Sequence, residues 1–542
     1  MKNKNIWILL LGIVILAAIL RFWQLGNIPS SPDWDEVAYG YNAYSLIQTG
    51  RDEYGKFLPV VLRSFDDYKP ALYVYLVIPA ELLFGVTTLA VRFPSAVFGV
   101  ITIFAVFFLI RELFKRNDVA LLVAFLLAIS PWHIQFSRLG FETNIGLALN
   151  IFAALFFLKG LKKPWLFSLS AISAALAIYA YQSEKVFTPL FMLSLILIYR
   201  KALFAVSKKY LITAIILGVI VVLPMATFIL TDKAALLRVK GTSIFNSPTE
   251  YLKDDAQRLN DDHIAHDYLG ILLDNRRLVY AREIIGGYLS HYDINWLTRG
   301  DIARHHAPQM GLVYIVEIPL ILIGIYMLLF GKFDKKTKVF IFTWFLLAPI
   351  PASITTGVPH AVRTLNFLPT WQIFSAIGLV WLIQKISQMK FKYIFFGVFG
   401  IAALINFGYY LDQYFVQLNY YDAKDWQYGY TQAVPFVDQI KGKYKKVIVS
   451  EKEPLDKSYM FFLFYLKYNP SQYQIIGAHS SGGFAEDHHF EDYSFRPLHW
   501  DQDKNQKNVL FVGSPDEFPG DIHTIKTIKY PDGTPAMKVV SR

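Results

Sequence analysis

The chain of 542 residues contains no cysteine. That excludes disulfides, a thiolate nucleophile and cysteine-based metal sites, and leaves the redox compartment unreadable. Charged residues are scarce at 18%, against about 25% in soluble domains. Also missing are a phosphate-cradling glycine loop, a dinucleotide fingerprint and a serine-hydrolase elbow. Phe511-Val512-Gly513-Ser514 follows an apolar run but lacks the further glycines such a loop needs, so it reads as a strand end. There is no internal repeat and no low-complexity tract.

What the chain has instead is apolar bulk. Hydrophobic residues make up 54% and aromatics 16%, with 33 Tyr and 44 Phe, a composition that suits helices with rings at the lipid–water boundary. An apolar stretch of about 20 residues spans a bilayer. Candidates are 6–25, 92–114, 119–137, 144–161, 165–183, 186–200, 210–230, 311–330, 338–354, 365–386 and 392–411, which makes about eleven spans. The first is expected to be retained, because no small-x-small cleavage site precedes the acidic stretch after it. The segment 70–84 is apolar but short, and Pro79 and Glu81 interrupt it.

The net charge of +11 comes from Lys and Arg in short gaps between apolar runs, so it points to membrane orientation and not to nucleic acid. If 70–84 does not cross, Arg111, Lys115, Arg116, Lys159, Lys162, Lys163, Arg200, Lys201, Lys208, Lys209, Lys332, Lys335, Lys336, Lys338, Lys385, Lys390 and Lys392 all fall in loops on one side with the N-terminus. The positive-inside tendency makes that side cytoplasmic. The segment 70–84 is then a juxtamembrane helix. The first outer loop (26–91), the long loop 231–310 and a C-terminal region lie outside, and the setting is a plasma membrane. Residues 412–542 have no long apolar run. Strands are expected at 445–450, 473–477 and 508–513, a helix at 460–468, and a turn at Pro531-Asp532-Gly533-Thr534 that closes a hairpin. The fold expected is a polytopic α-helical membrane protein (1–411) with a small soluble α/β domain (412–542).

Five polar groups fall on the outer side. Asp33-Trp34-Asp35-Glu36 offers a carboxylate that could take a proton from an attacking acceptor. Asp33 and Glu36 also have capping-box spacing, which leaves Asp35 the less explained acid. Lys69, in Asp66-Asp67-Tyr68-Lys69-Pro70, can bind phosphate as a point charge or lie snorkelled at the interface. Arg138 and Glu142 flank a short turn and can pair with each other, or serve a site. Arg304, His305 and His306 cluster near the exit of the long loop, where cations suit a phosphate. His360 and Arg363 open a later span, and Arg363 stands at a helix start where the dipole disfavours a cation, so it calls for an anion. No His or carboxylate set has clean metal-ligand spacing. A divalent cation on the carboxylates is compatible with the sequence but not required by it.

Together these pieces resemble the GT-C glycosyltransferases of family 39 type, the protein O-mannosyltransferase and aminoarabinose transferase group. The resemblance rests on Trp34-Asp35-Glu36, on Lys69-Pro70-Ala71-Leu72-Tyr73 (with Ala71 where the family has a second proline), on Ser137-Arg138 with Glu142, and on Arg304-His305-His306 with His360-Ala361-Val362-Arg363. It covers roughly residues 1–410. It implies a GT-C-like transmembrane domain and a hexosyl- or pentosyltransferase that uses a polyprenyl-phosphate sugar donor and a lipid, glycan or protein acceptor. Asp35 would be the general base, with Glu36 and Glu142 as further catalytic acids. Lys69, Tyr73, Arg138, Arg304, His305, His360 and Arg363 would bind substrate, with no metal ligand and no cofactor assigned. The alternatives are an oligosaccharide or cell-wall polymer transferase of the same fold, and a lipid-linked sugar transporter. A transporter predicts charges deep in the bundle and helices broken at mid-membrane.

Overall fold

The structure, a computed structural model, describes residues 3–65, 67–232, 235, 241–246, 250–476 and 488–542. Asp66 and Gly477, which belong to two of the expected segments, lie outside the described residues. Every expected apolar stretch contains a helix. The first ten helices are α1 (Asn3–Phe22), α2 (Trp34–Thr49), α3 (Leu72–Phe84), α4 (Thr88–Phe114), α5 (Asn117–Ile129), α6 (Pro131–Arg138), α7 (Thr143–Gly160), α8 (Leu166–Ala177), α9 (Glu184–Leu203) and α10 (Lys208–Thr231). Among the described residues seven helices are long and apolar enough to cross a membrane, or eight if α5 and α6 form one span bent by 57°. Helix α8, Glu317–Phe330 and Lys335–Leu347 have 12, 14 and 13 residues, short of the ~20 of a straight span. By length alone the described residues thus give seven or eight spans, and these three shorter helices are among the eleven stretches expected. The chain is a multi-pass membrane protein.

The break between α5 and α6 falls at Ser130-Pro131. Proline cannot donate to the helical ladder, and the Ser130 hydroxyl restarts the helix by accepting from the His133 amide at 3.4 Å. Helices pack closely where side chains vanish. Gly324 and Gly378 bring Glu317–Phe330 and Thr370–Ile386 so near that a methyl group on either would strike the other's backbone, the small-residue packing usual between membrane helices. The last helix does not stop at 411. Lys392–Asp412 runs on through a π turn at Gln413–Gln417 to Leu418–Tyr421.

The chain alternates direction, so the bundle has two unlike ends. At one, the Lys162 ammonium reaches Glu112 at 2.8 Å and joins the turn after α4 to the turn after α7. This end carries the basic turns. At the other, Arg92 near the start of α4 binds the carbonyls of Leu25 and Pro29 just past α1, at 3.2 and 2.9 Å. The Thr143 hydroxyl at the start of α7 meets the Val362 carbonyl at 3.0 Å. The segment between α1 and α4 folds onto this second end as α2, an antiparallel hairpin of β1 (Val61–Ser64) and β2 (Asp67–Pro70), and α3. Helix α3 is 13 residues long, as suits a segment that does not cross.

The C-terminal domain is a six-stranded mixed sheet. Strands β3 (Lys446–Val449), β4 (His488–Phe490), β5 (Tyr493–Phe495), β6 (Val509–Gly513), β7 (Lys526–Lys529) and β8 (Pro535–Ser541) lie in the order β4-β5-β3-β6-β8-β7. Central β3 is parallel to β5 and β6 and almost wholly apolar, as a strand covered on both faces must be. The expected hairpin at 531–534 joins β7 to β8, and the expected helix is Ser458–Leu466. The strand expected at 473–477 is instead the helix Pro470–Ile476. Asn469 accepts from the Ser471 amide at 2.9 Å, and Pro470 is pre-set for a first helical position; this start signal overrides the strand preference of Tyr473, Ile475 and Ile476.

Candidate active site

The acidic stretch folds as its spacing requires. Asp33 accepts from the Glu36 amide at 2.9 Å and Glu36 accepts from the Asp33 amide at 3.1 Å, a complete capping box at the start of α2. The helix ends at Gly50, whose φ of +68° favours glycine. The three acids at the helix start then face different surroundings. Glu36 is fully buried and takes both arms of Arg92, at 2.8 and 2.9 Å, plus the Gly140 amide at 2.7 Å. Asp33 is buried and meets Arg304 at 3.3 Å. Asp35 retains 26% side-chain exposure and is ion-paired with Lys69 of β2.

Asp33, Asp35 and Lys69 line a cavity of about 140 Å³ at the second end of the bundle, together with Glu142, Arg304 and Arg363. His305, His360, Trp34, Tyr181 and Gln182 also line it, beside the apolar Phe141 and Val362. Each comes from a different part of the chain: Glu142 precedes α7, Tyr181 and Gln182 precede α9, and Arg363 precedes the span 365–386. Gln182 ties the hairpin down through the Tyr68 carbonyl at 2.7 Å. Arg363 binds the Thr355 hydroxyl and the Thr356 carbonyl, both at 2.6 Å. Tyr181, Gln182 and Arg363 also line a second cavity of about 160 Å³ next to the first.

Burial governs the protonation of these groups. It pushes the Asp33 carboxyl up to about 7, with Asp35 adding to the rise and Arg304 opposing it. It pushes Glu142 up to about 7 as well, against Lys69 and with help from Asp35. Burial would also raise Asp301, but the His305 imidazole, 3.0 Å away, holds that carboxyl down at about 2. His360 is pushed down by burial and by Arg363 and His305. His291 accepts from the His360 amide at 3.2 Å and lies 2.7 Å from the Gly287 carbonyl, so it is neutral with its proton on Nδ1, in accord with its fall to about 4 on burial. Among the described residues no group of three or more His, Asp or Glu is arranged to hold a metal ion.

Glu142 makes stability depend on pH. A carboxyl raised from 4.5 to about 7 takes up a proton on folding between those values. Its contribution is full below the unfolded value and is lost as pH rises through the folded one. The unfolding midpoint of the purified protein should therefore fall between pH 5 and 8. Glu142→Gln should flatten the slope, reducing the loss of stability across this range by on the order of 2–3 kcal/mol. Equal slopes in the two proteins would contradict this.

Three expected site residues lie elsewhere. Glu36 is spent on Arg92 and two backbone amides and does not line the cavity. Arg138 does not pair with Glu142. It donates to the carbonyls of Leu20 and Arg21 at 3.0 Å and of Ile28 at 3.1 Å, capping the buried C-terminal end of α1. The Tyr73 hydroxyl donates to the Val91 carbonyl at 2.8 Å within the core. Conversely, Tyr181 and Gln182 line the cavity without having been expected there. Their signal was position alone, since both sit on a short polar stretch between apolar runs.

The family described as dolichyl-phosphate-mannose-protein mannosyltransferase matches residues 68–228, a stretch that holds Lys69 and Glu142 but not Asp35. Among solved structures, ArnT from Cupriavidus metallidurans bound to undecaprenyl phosphate aligns over 99% of this chain and 98% of its own, at 12% identity and a TM-score of 0.56. The chain has the GT-C glycosyltransferase fold. The oligosaccharyltransferase of Archaeoglobus fulgidus shares this GT-C fold over 95% of this chain and 70% of its own, at 15% identity and a TM-score of 0.52. No curated protein sequence matches the chain. The GT-C fold and the family match together support a glycosyltransferase.

Proposed function

We propose that the chain transfers a sugar from a polyprenyl-phosphate-linked donor to a lipid, glycan or protein acceptor on the outer face of the plasma membrane, with Asp35 as general base. The observation that carries this reading is the Asp35–Lys69 pair, set in a cavity that also holds Arg304 and Arg363. An acceptor hydroxyl attacks the anomeric carbon and its proton passes to the Asp35 carboxylate. The bond from that carbon to the phosphate oxygen breaks, and its electron pair leaves with the polyprenyl phosphate. Lys69, Arg304 and Arg363 offset the charge that gathers on the departing phosphate. Lys69 pairs with Asp35 in this structure. A phosphate arriving among the three cations takes the ammonium as its own partner and frees the carboxylate to accept a proton. Glu142, beside both groups, orients the acceptor.

The outer face is supported by the basic turns at the opposite end of the bundle, since the positive-inside tendency favours the cytoplasm for them. The donor class is supported by the undecaprenyl phosphate named in the ArnT structure and the dolichyl phosphate named in the family description. The small cavity favours a single sugar over an oligosaccharide. Although one span is broken, as a transporter would require, the cations and acids of the cavity gather at one end of the bundle and line no path through it.

Lys69→Ala should raise the donor Kd by about 10- to 100-fold, the cost of one hydrogen bond to a charged group. Titration of the purified variant with a polyprenyl-phosphate sugar measures this. An unchanged Kd would remove Lys69 from the phosphate site.

A further inference from the structure

The role of the C-terminal domain is written in its contacts. It packs on both segments that supply the paired charges of the cavity, α2 and the β1–β2 hairpin. On α2, the Tyr41 hydroxyl donates to the Tyr468 carbonyl at 3.2 Å. The Gln474 amide donates to the hydroxyls of Ser45 and Thr49 and to the Asp52 carbonyl, at 3.1, 3.1 and 2.9 Å. Gly40 lets the Phe464 ring lie directly on the helix, where any side chain would collide with it. On the hairpin turn, the rings of Phe65 and Tyr459 meet edge-on at 6.1 Å.

One charged residue of this domain reaches the cavity wall. The Lys457 ammonium lies 4.3 Å from the centroid of the Trp34 ring, and the Arg304 guanidinium lies 3.9 Å from the same centroid. The same ammonium is 5.9 Å from the centroid of Phe65, and that of Lys69 is 5.6 Å from it. Lys457 thus faces two rings, one preceding Asp35 by a single residue and the other at the turn of the hairpin that carries Lys69. Its backbone has φ +61° at the start of Ser458–Leu466, a conformation unfavourable for a lysine unless the surroundings require it. Asp456, 2.6 Å from the ammonium, holds it there.

We propose that Lys457 is a positioning residue for sugar transfer: from the C-terminal domain it fixes Trp34 and Phe65, and through them the placement of Asp35 and Lys69. The inference rests on the function proposed above. A cation over an aromatic face is held by the ring's quadrupole, and two cations from different parts of the chain on one indole leave it little freedom. Misplacing a general base costs rate more than it costs substrate binding.

The test is Lys457→Met, which keeps the aliphatic stem and removes the charge, alongside Lys457→Arg, both in the full-length protein. Hydrogen exchange in peptides covering 31–41 and 61–70 should rise several-fold in Lys457→Met and return in Lys457→Arg. The kcat for transfer should fall about tenfold, the size of one cation–π contact, with the donor KM changed by less than about twofold, and the arginine variant should restore it. Unchanged exchange in Lys457→Met, or a loss of kcat that arginine does not restore, overturns the proposal. Exchange needs no substrate, so the expected loosening in a protein that transfers no sugar would support the brace and refute the proposed function.

Discussion

Asp35→Asn should lower the rate of sugar transfer by about 10²- to 10⁴-fold, the range a positioned general base supplies, and leave a folded, membrane-inserted protein. The direction follows from the environment of this carboxylate. Of the three neighbouring acids at the start of α2 it alone is not part of the capping box. It keeps 26% side-chain exposure inside the cavity, so a substrate hydroxyl can reach it. Asparagine has the same shape and accepts a hydrogen bond, but it does not take up the acceptor's proton. The loss should appear in kcat, with donor affinity kept or increased, because Lys69 is relieved of its carboxylate partner. Single-turnover transfer with saturating donor measures the effect. Activity near that of the wild type would remove Asp35 from the mechanism.

Glu36→Ala, one residue along, should do the opposite. It should destabilise the fold by about 3–5 kcal/mol, the usual cost of stripping a buried ion of its partner. Arg92 is fully buried, and Glu36 is the carboxylate that receives its guanidinium, on both oxygens. The same substitution frees the Asp33 and Gly140 amides, which are buried donors. Glu36→Gln should recover the hydrogen bonds but not the charge, and fall between the two. Thermal unfolding of the detergent-purified variants, with yield of folded protein as a second readout, checks this. A stable Glu36→Ala protein without transfer activity would return Glu36 to the chemistry.

The contrast between these neighbours shows what could be read from the chain. The capping box was legible because it is local: Asp33 and Glu36 have the spacing, and the backbone geometry follows. The ion pair that occupies Glu36 was not, since Arg92 lies on a different helix and the pairing depends on how α2 docks. The same holds for Arg138. Its neighbour in sequence is Glu142, and an ion pair within the turn was the simple expectation. The bend at Ser130-Pro131 sends α6 beneath α1, where three carbonyls claim the guanidinium. Lys69, Glu142, Arg304, His305, His360 and Arg363 were gathered in advance on one side because charge placement fixes which loops share an end of the bundle. That argument is coarse, so it placed Arg138 in the site as well, while Tyr73 entered through the resemblance of the segment that follows Lys69. Lys457 carried no sequence signal, because a lysine in a polar loop is unremarkable until Trp34 is seen beneath it.

The measurement closest to the central claim is donor turnover by the purified protein. A panel of synthetic polyprenyl-phosphate hexoses and pentoses, each incubated with a candidate acceptor, is followed by mass spectrometry for release of free polyprenyl phosphate. The structure predicts release from at least one donor by the wild type and almost none by Asp35→Asn. Donors left intact by the wild type throughout the panel, or released equally by the two proteins, would contradict it.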